Sequence, residues 1–454
     1  MGSPYEVDYK KCVKMDKKGK KIGLALSGGG YRAAAYHIGT FRALHKMGIL
    51  DKVDIISSIS GGSIIAAYYA LHKDDFQDFD AFVNAFVRKL QSGPFGLLVG
   101  ILVVGVFVIS ILTCGVISVM HSDYICICVK IFLAIAYLFA IGYVLVNHHK
   151  FFPSSKIVQW YYDKHFYNNK KLMDLPDMPI LAINATEITQ NQLMTFSKLK
   201  VACGSKYPKG VINPNDIPVS LAVMASSAYP LFSPIILPSI YFADSNYDRE
   251  LPILVDGGIY DNQGLHKLSE LKSDYHVDCA IVSNACNTEL NNNGMGNVVG
   301  GLHKCLDLLM NRIEKMQMRN VLYRPTKGDG HYAYVALLWK PLDTIIDRYF
   351  ENIKKGQVPS FIYTANGLTE EQVEALKSGR LTEDEIRDCV ETIKEHVRWS
   401  ELRKEIEPIL DAWSKAKTIG TNLKGLSKQE IDVLSKLAEW QTTLQVRLHL
   451  PNLL

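Results

Sequence analysis

The sequence predicts an α/β fold of three layers, in which a mostly parallel sheet lies between helices on both faces. Short apolar runs that fit strands alternate with runs that fit helices over residues 21–284. Two features depart from this alternation: an apolar hairpin at residues 94–147 and a charged helical region at residues 346–454. The predicted architecture is therefore a sheet domain that is interrupted by a two-helix transmembrane hairpin and followed by a helical C-terminal extension.

The overall composition narrows the classes of protein to consider. The chain has 454 residues, of which 48% are hydrophobic, so it can bury a large core. Its formal net charge of +4 is small for this length and argues against an extended nucleic-acid-binding surface. The nine cysteines show neither the spacing of a zinc site nor that of a disulfide framework. We therefore expect a reducing, intracellular setting, with no metal site and no nucleic-acid partner.

The first part of the α/β domain is expected at residues 21–93, after a basic N-terminal segment at residues 1–20. That segment is rich in lysine and lacks the apolar stretch of a secretory signal. Strands are predicted at 21–26 and 53–57, and each is followed by a tight turn and a helix. The helices of this part are predicted at residues 31–46, 63–72 and 80–90.

The hairpin is predicted from two long apolar runs. Residues 95–120 contain no charged residue, and about 20 helical residues suffice to cross the roughly 30 Å core of a bilayer. A second run at 124–146 is broken only by Lys130, which lies near its start and can extend toward the interface. The alternative is a buried helical hairpin in a soluble core, but such helices are usually shorter and carry a polar face.

The charges around the hairpin predict its orientation. Lysine and arginine flank its outer ends, at Arg88, Lys89, Lys150 and Lys156, whereas the connecting turn has neither residue. Because basic residues favour the cytoplasmic side of a membrane, both flanks are expected there. The prediction is a multi-pass membrane protein with two transmembrane helices and an α/β domain that faces the cytoplasm.

The second part of the α/β domain is expected at residues 148–345, with strands at 180–184, 253–255 and 280–283. A helix is predicted at 219–227, after the start signals Asp216 and Pro218. A helical C-terminal region is predicted at 346–454, because residues 369–454 are rich in Glu, Lys and Leu at helical spacing, most clearly at 427–447. We expect it to pack against or cover the α/β domain, while an extension that binds a partner stays open.

The strongest chemical signal is the sequence Ser58-Ile59-Ser60-Gly61-Gly62, between a predicted strand and a predicted helix. A serine in such a sharp turn is held with its hydroxyl exposed at the end of the sheet. Small neighbours are required because the turn brings strand and helix close together. The usual motif begins with glycine, where this chain has Ser58. Taken alone, the pattern fits a plain Ser-Gly turn equally well.

A second signal is Gly28-Gly29-Gly30, which follows the first strand and opens a helix. Consecutive glycines allow several backbone N–H groups to point into one concavity, which suits an oxyanion. A nucleotide-binding loop is the alternative. It is disfavoured because Ala33 stands where the last glycine of GxGxxG is required and no Walker lysine follows.

The third signal is Asp256, followed by Gly257 and Gly258 at the end of a short apolar strand. An aspartate there can reach a serine on a neighbouring strand and take its proton as the base of a two-member dyad. An isolated Asp-Gly is usually only a turn, so this motif gains weight from the other two. No histidine is an obvious third member, and His37 on the first helix is interpreted as structural. A Ser-Asp dyad is therefore favoured over a Ser-His-Asp triad.

Together these motifs resemble the patatin-like phospholipase family. The match consists of Gly-Gly-Gly-x-Arg at 28–32, the serine motif at 58–62 and Asp-Gly-Gly at 256–258, in this order. Residues 182–186, 225–230 and 256–262 resemble further segments of that family. The similarity covers roughly residues 21–284 without the hairpin.

The resemblance implies Ser60 as nucleophile and Asp256 as its activating partner. The resemblance implies Gly28, Gly29 and Gly30 as the oxyanion loop, with supporting roles for Arg32, Gly61, Gly62, Gly257 and Gly258. The implied reaction is hydrolysis of fatty acyl esters of membrane phospholipids or lysophospholipids through an acyl-enzyme, with no metal or organic cofactor. The sequence departs from the family at Ser58 and in the hairpin.

Two other functions stay open on the sequence. A lipid acyltransferase would use the same dyad and pass the acyl group to another lipid rather than to water. The other is a membrane scaffold or sensor with a decayed catalytic core, although the intact Ser60 and Asp256 argue against it. The C-terminal helices are the candidate for a regulatory switch, a regulatory partner's binding site or a homo-oligomer contact.

Overall fold

The computed structural model describes residues 20–122, 126–147, 151–230, 232–244, 250–286, 298–322, 331–340 and 344–454. The N-terminal basic segment, apart from Lys20, and Lys150 beyond the hairpin lie outside these residues. The strands, numbered in chain order, are β1 Ile22–Leu26, β2 Ile55–Ile59, β3 Ile180–Glu187, β4 Gln192–Phe196, β5 Val201–Cys203, β6 Tyr207–Ile212, β7 Ile235–Ile236, β8 Ile253–Val255, β9 Cys279–Asn284 and β10 His331–Ala336.

The helices are numbered in the same way. They are α1 Gly30–Lys46, α2 Gly61–His72, α3 Phe79–Leu90, α4 Phe95–His121, α5 Ile127–Val146, α6 Ser154–Tyr162, α7 Val219–Ser226, α8 Gly258–Asp261, α9 His266–Ser269, α10 Val298–Leu322, α11 Thr344–Lys354, α12 Ser360–Ala365, α13 Glu370–Lys377, α14 Glu383–His396, α15 Trp399–Arg403, α16 Ile406–Ala416 and α17 Lys428–His449. All the strands and helices predicted from the sequence are present, with ends that differ by at most three residues.

The sheet has the order β10-β9-β1-β2-β3-β4-β5-β6, with β8 paired to β3 and β7 paired to β8. The strands from β10 to β3 run parallel, whereas β4, β5 and β6 continue the sheet antiparallel. This antiparallel extension was not predicted. Since β1, β2 and β9 are parallel neighbours, their carboxyl ends meet at one edge of the sheet.

Both faces of the sheet are covered, which confirms the predicted three-layer α/β class. In β1, Leu24 and Leu26 belong to the larger core cluster with α1, α2 and α17. Ala25, between them, belongs to a second cluster with Leu265 and Leu268 beside α9. This alternation is expected of a strand whose side chains point to opposite faces, both of them buried.

The predicted hairpin forms two long helices outside this core. Helix α4 spans 27 residues and has no buried residue. Both α4 and α5 are long and apolar enough to cross a membrane. The Thr113 and Tyr137 hydroxyls form a hydrogen bond between the two helices. An exposed helix of this length and hydropathy is a candidate membrane span rather than a helix of the soluble core.

The C-terminal region is helical, as predicted, and its last helix packs into the α/β core. Ser427 caps α17 by accepting a hydrogen bond from the Glu430 N–H, and the Glu430 carboxylate accepts from the Ser427 N–H in return. Helix α17 buries Leu434, Leu437 and Leu444 in the cluster that also contains residues of α1. It therefore belongs to the helical layer on one face of the sheet.

Candidate active site

Ser60 stands in a sharp turn between β2 and α2. Its φ of 47° and ψ of −118° place a non-glycine residue in a sparsely populated conformation. The Ser60 N–H donates to the Ser226 hydroxyl at 2.8 Å, and this hydroxyl donates to the Asn184 carbonyl at 2.7 Å. Two neighbouring segments thus hold the turn in its strained form, with the Ser60 side chain at the carboxyl edge of the sheet.

The two glycines after Ser60 allow this turn because they lie against backbone atoms. A Cβ at Gly61 would lie 2.0 Å from the Gly30 carbonyl oxygen, and one at Gly62 would lie 2.5 Å from the Leu26 carbonyl oxygen. No side chain could be accommodated at either position without moving the backbone. The turn therefore requires glycine at Gly61 and Gly62, which the sequence motif provides.

Ser58, which replaces the usual first glycine of the motif, is accommodated by hydrogen bonding. It is fully buried at the end of β2, and the Ser63 hydroxyl donates to its hydroxyl at 3.0 Å. Ser63 in turn lies 3.0 Å from the Ser226 hydroxyl. The extra hydroxyl thus has a partner in the same network that fixes Ser60, so the departure is compatible with the turn.

The glycine loop lies directly beside Ser60. Gly29 and Gly30 have φ values of 134° and 57°, which favour glycine. The Gly28 N–H already donates to the Asn262 carbonyl at 3.0 Å, so it has a partner within the protein. Gly30 and Gly61 instead begin α1 and α2, and the first N–H of a helix has no partner within that helix. Two helix N-termini therefore converge on the serine.

Arg32 ties the glycine loop to its surroundings and does not face open solvent. It is 3% exposed, and its guanidinium donates to the carbonyls of Ala285 at 3.2 Å and Ile419 at 3.1 Å. Burial lowers the pKa of Arg32 to about 10, an effect that nearby Cys286 and Asp307 partly offset. It remains charged at neutral pH and joins the end of β9 to a C-terminal loop, residues 417–423.

Asp256 follows β8, and its side chain meets Ser60. The carboxylate accepts the Gly258 N–H at 2.7 Å, and the Thr186 hydroxyl donates to the Asp256 carbonyl at 2.9 Å. Burial raises the pKa of Asp256 to about 6, while the hydrogen bonds from Gly258 and from the Ser60 side chain act in the opposite direction. With this pKa the carboxylate is mostly ionised at neutral pH.

A cavity of about 770 Å³ connects these groups. Ser60 and Asp256 lie on one side of it, and the loop 417–423 forms another wall. Phe95 and Leu98, from the first turn of α4, line the cavity as well. Cationic side chains also reach it, namely Arg32, Lys304 and Lys417. The cavity therefore combines a polar part, with charged groups of both signs, and an apolar part at the base of the hairpin.

His37 lies outside this arrangement. Its ring nitrogens contact the Ser283 hydroxyl at 2.8 Å and the Ser27 carbonyl at 3.0 Å, and burial lowers its pKa to about 4. It is a neutral, buried residue that joins β1, α1 and β9. Among the described residues, no cluster of His, Cys, Asp or Glu could hold a metal ion.

Two groups of residues at the site were not predicted from the sequence. Ser226 holds the serine turn and Asn262 holds the glycine loop. Both lie in segments that resemble the family, 225–230 and 256–262, but the sequence predicted no role for either. The loop 417–423 was missed altogether. The Asn422 carbonyl accepts the Tyr31 N–H at 3.1 Å and lies against Gly30. Nothing in its composition distinguishes that loop from an ordinary polar loop.

Part of the chain is similar in sequence to known proteins. The family model described as Patatin-like phospholipase matches residues 24–268. A 72-residue segment is 40% identical to lysophospholipase NTE1 of Pyricularia oryzae, covering 16% of this chain and 4% of that protein. A 57-residue segment is 51% identical to patatin-like phospholipase domain-containing protein ZK370.4 of Caenorhabditis elegans, covering 13% and 4%. The matches thus span a small part of these much longer relatives.

Solved structures that match this chain include human GIVD cytosolic phospholipase A2 and VipD from Legionella pneumophila. The first has 12% identity and a TM-score of 0.41, covering 96% of this chain and 60% of that one. The second has 13% identity and a TM-score of 0.29, covering 94% and 92%.

Proposed function

We propose, because the chain belongs to the patatin-like phospholipase family, that it is a membrane-anchored serine hydrolase of phospholipid or lysophospholipid acyl esters. One observation carries the proposal. The strained Ser60 turn, the buried Asp256 and the first turn of the apolar hairpin all line one cavity. A site that joins a nucleophile and base to a membrane-directed wall suits an ester with long acyl chains.

The proposed first step forms an acyl-enzyme. Asp256 takes the proton of the Ser60 hydroxyl as the oxygen attacks the acyl carbonyl carbon. The tetrahedral intermediate then collapses, the ester bond breaks, and Asp256 returns the proton to the leaving lipid alcohol. The raised pKa of Asp256, about 6, makes its carboxylate a stronger base than an exposed aspartate while leaving it ionised at neutral pH.

The proposed oxyanion site consists of backbone N–H groups at the two converging helix N-termini. Gly29 and Gly30 open α1, and Gly61 opens α2 directly after the nucleophile. The positive ends of both helix dipoles favour the negative charge that develops on the carbonyl oxygen. Gly28 has a supporting role in this scheme, since its N–H is engaged by Asn262.

The second step of the proposal hydrolyses the acyl-enzyme. A water molecule enters the cavity and attacks the acyl carbon, and Asp256 accepts its proton. Ser60 then leaves and regains a proton from Asp256, which releases the fatty acid. The residues present supply nucleophile, base and oxyanion donors for this sequence, so the proposed chemistry calls for no metal or organic cofactor.

The proposed membrane anchor is the α4–α5 hairpin. Both helices are candidate spans, and α4 has no buried residue that would hold it in a soluble core. Phe95 and Leu98 bring the base of the hairpin to the cavity, so a lipid could enter from the bilayer without crossing water. The flanking Arg88 and Lys89 favour a cytoplasmic position for the α/β domain.

Purified Ser60→Ala and Asp256→Asn variants test the proposal. Release of free fatty acid from phospholipid in detergent micelles is expected to fall by at least about 10³-fold in each, because the nucleophile or its base is lost. Both substitutions are close in size, so thermal unfolding should match that of the wild type. Near-normal activity of folded Ser60→Ala would contradict the assignment. Labelled phospholipid would show whether the acyl group ends on water or on another lipid.

A further inference from the structure

Helix α10, Val298–Leu322, has two different faces. Its inner face contributes Asp307 and Met310 to the active-site cavity, and its Glu314 accepts a hydrogen bond from the Asn284 side chain at 2.7 Å. Its outer face is exposed. The helix thus forms part of the rim of the cavity and separates it from the surroundings of the protein.

The exposed face of α10 is apolar and basic. Its exposed residues, among those whose side chains the structure describes, include no aspartate or glutamate; they are Leu302, Cys305, Leu308, Leu309, Arg312, Lys315, Met316 and Arg319. Single exposed leucines are normal on protein surfaces. A helix face that carries only apolar and cationic side chains is typical of a segment that contacts an anionic membrane surface.

The apolar residues form a stripe along the helix. Leu302, Leu309 and Met316 follow one another at seven-residue spacing, so each lies about 20° around the axis from the last. They are 63%, 55% and 54% exposed, respectively. Arg312, Lys315 and Arg319 lie together on one flank of this stripe by the same helical geometry. The stripe and its basic flank form one continuous surface, here called the α10 face.

The position of the α10 face favours a lipid bilayer as its occupant. Asp307 and Met310 of α10 line the same cavity as Phe95 and Leu98 at the base of the hairpin. A hairpin inserted in a bilayer therefore brings the rim of this cavity, and α10 with it, close to the membrane surface. Apolar side chains there can enter the headgroup region while the basic flank meets lipid phosphates.

We propose that the α10 face docks on the surface of an anionic phospholipid membrane as a second contact beside the hairpin. This inference rests on the proposed membrane anchoring and extends it. The hairpin holds the protein in the bilayer, and α10 sets the tilt of the α/β domain so that the cavity opens toward the lipid headgroups.

The first experiment measures depth and is independent of catalysis. The full-length Ser60→Ala protein, with an added Leu309→Trp substitution, is reconstituted into vesicles of phosphatidylcholine and phosphatidylserine with brominated acyl chains. Quenching of the introduced indole, above that of the parent protein, is expected because bromine quenches only residues within the bilayer. Leu271→Trp is the matched control, since Leu271 is 84% exposed and precedes β9, whose beginning lies at the opposite edge of the sheet from Ser60.

The second experiment measures activity. Leu302→Glu combined with Leu309→Glu should raise KM for vesicle phospholipid by about tenfold or more, since two apolar contacts are replaced by charges that anionic lipid repels. Cleavage of a soluble short-chain ester should change by less than about twofold, which is within the scatter expected of surface substitutions. Leu271→Glu should leave both activities unchanged.

Absence of extra quenching at position 309 would overturn the proposal, even if the substituted proteins proved inactive. Equal effects of the Leu309 and Leu271 substitutions on vesicle hydrolysis would also overturn it. So would a change in oligomeric state of the Leu302→Glu and Leu309→Glu double variant with no loss of vesicle hydrolysis. Quenching without any wild-type lipase activity would support the α10 contact and contradict the proposed function, so the two failures are distinguishable.

Discussion

The hairpin and the C-terminal helix are the two long helical additions to the α/β domain, and their relations to it are opposite. Helix α4 interrupts the domain in the first third of the chain, yet none of its residues is buried. Helix α17 comes near the end of the chain, yet 12 of its 22 residues are buried, so it packs as a core helix. Position in the chain therefore does not tell which addition the fold depends on.

The contacts of α17 explain why it is a structural part of the domain. It crosses α1 so closely that a Cβ at Gly39 would lie 1.9 Å from the Ser435 carbonyl oxygen. The Tyr36 hydroxyl donates to the Gln441 side chain at 2.5 Å in the same buried interface. The residues before α17 reach the glycine loop through Asn422. The predicted boundary at residue 346 thus separates segments of sequence whose side chains share one core.

The largest effect is expected on the free energy of unfolding, when alanine replaces one glycine in each of two helices. Gly39→Ala should lower the free energy of unfolding by at least about 2 kcal/mol, because the methyl group must displace the backbone of α17. Gly105→Ala, in α4, meets nothing within 4 Å and should change stability by at most about 1 kcal/mol, in the stabilising direction. Thermal unfolding in detergent, followed by tryptophan fluorescence, measures both. Equal stability of the two variants would show that α1 and α17 do not pack as described.

A smaller effect is expected when the hairpin is shortened. Replacing residues 100–146 with a short Gly-Ser linker keeps Phe95 and Leu98 and should leave the α/β domain folded, since α4 contributes no buried residue. Hydrolysis of a soluble ester should persist, while hydrolysis of vesicle phospholipid should fall by about tenfold or more as the proposed anchor is lost. A scrambled apolar sequence of the same length is the control for hydropathy alone. Loss of soluble-ester activity together with folding would mean that the hairpin is structural.

The turn of the proposed nucleophile could be predicted because its constraints are local. Ser60, Gly61 and Gly62 sit in one turn whose backbone approach demands small residues, so the geometry leaves a mark in adjacent positions. The hairpin could be predicted for a similar reason, since an uninterrupted apolar run has few alternatives to a membrane. In both cases a short window of sequence contains the whole physical requirement.

The C-terminal wall of the cavity could not be predicted because its constraint is long-range. Asn422 and Ile419 contribute backbone carbonyls, which every residue has, so their contacts with Tyr31 and Arg32 leave no mark in composition. The antiparallel strands β4, β5 and β6 were missed for another reason. They are short, and β6 exposes much of its length, so the apolar alternation that identifies a strand is weak.

The smallest effect is expected on the pKa of Asp256 when the hairpin is shortened. Because burial raises this pKa to about 6 and the proposed base must be ionised, kcat/KM should fall about tenfold per pH unit below 6 and be constant above it. The groups that the carboxylate contacts, the Gly258 N–H and the Ser60 side chain, belong to the α/β domain. The plot of kcat/KM against pH for a soluble ester should therefore have the same midpoint in the hairpin-shortened protein as in the wild type. A pH–rate profile of both proteins measures these midpoints.

A midpoint near pH 4 in both proteins would mean that Asp256 is solvated. A lower midpoint in the shortened protein alone would mean that the hairpin excludes water from the site, and the two additions would then differ less than their burial indicates.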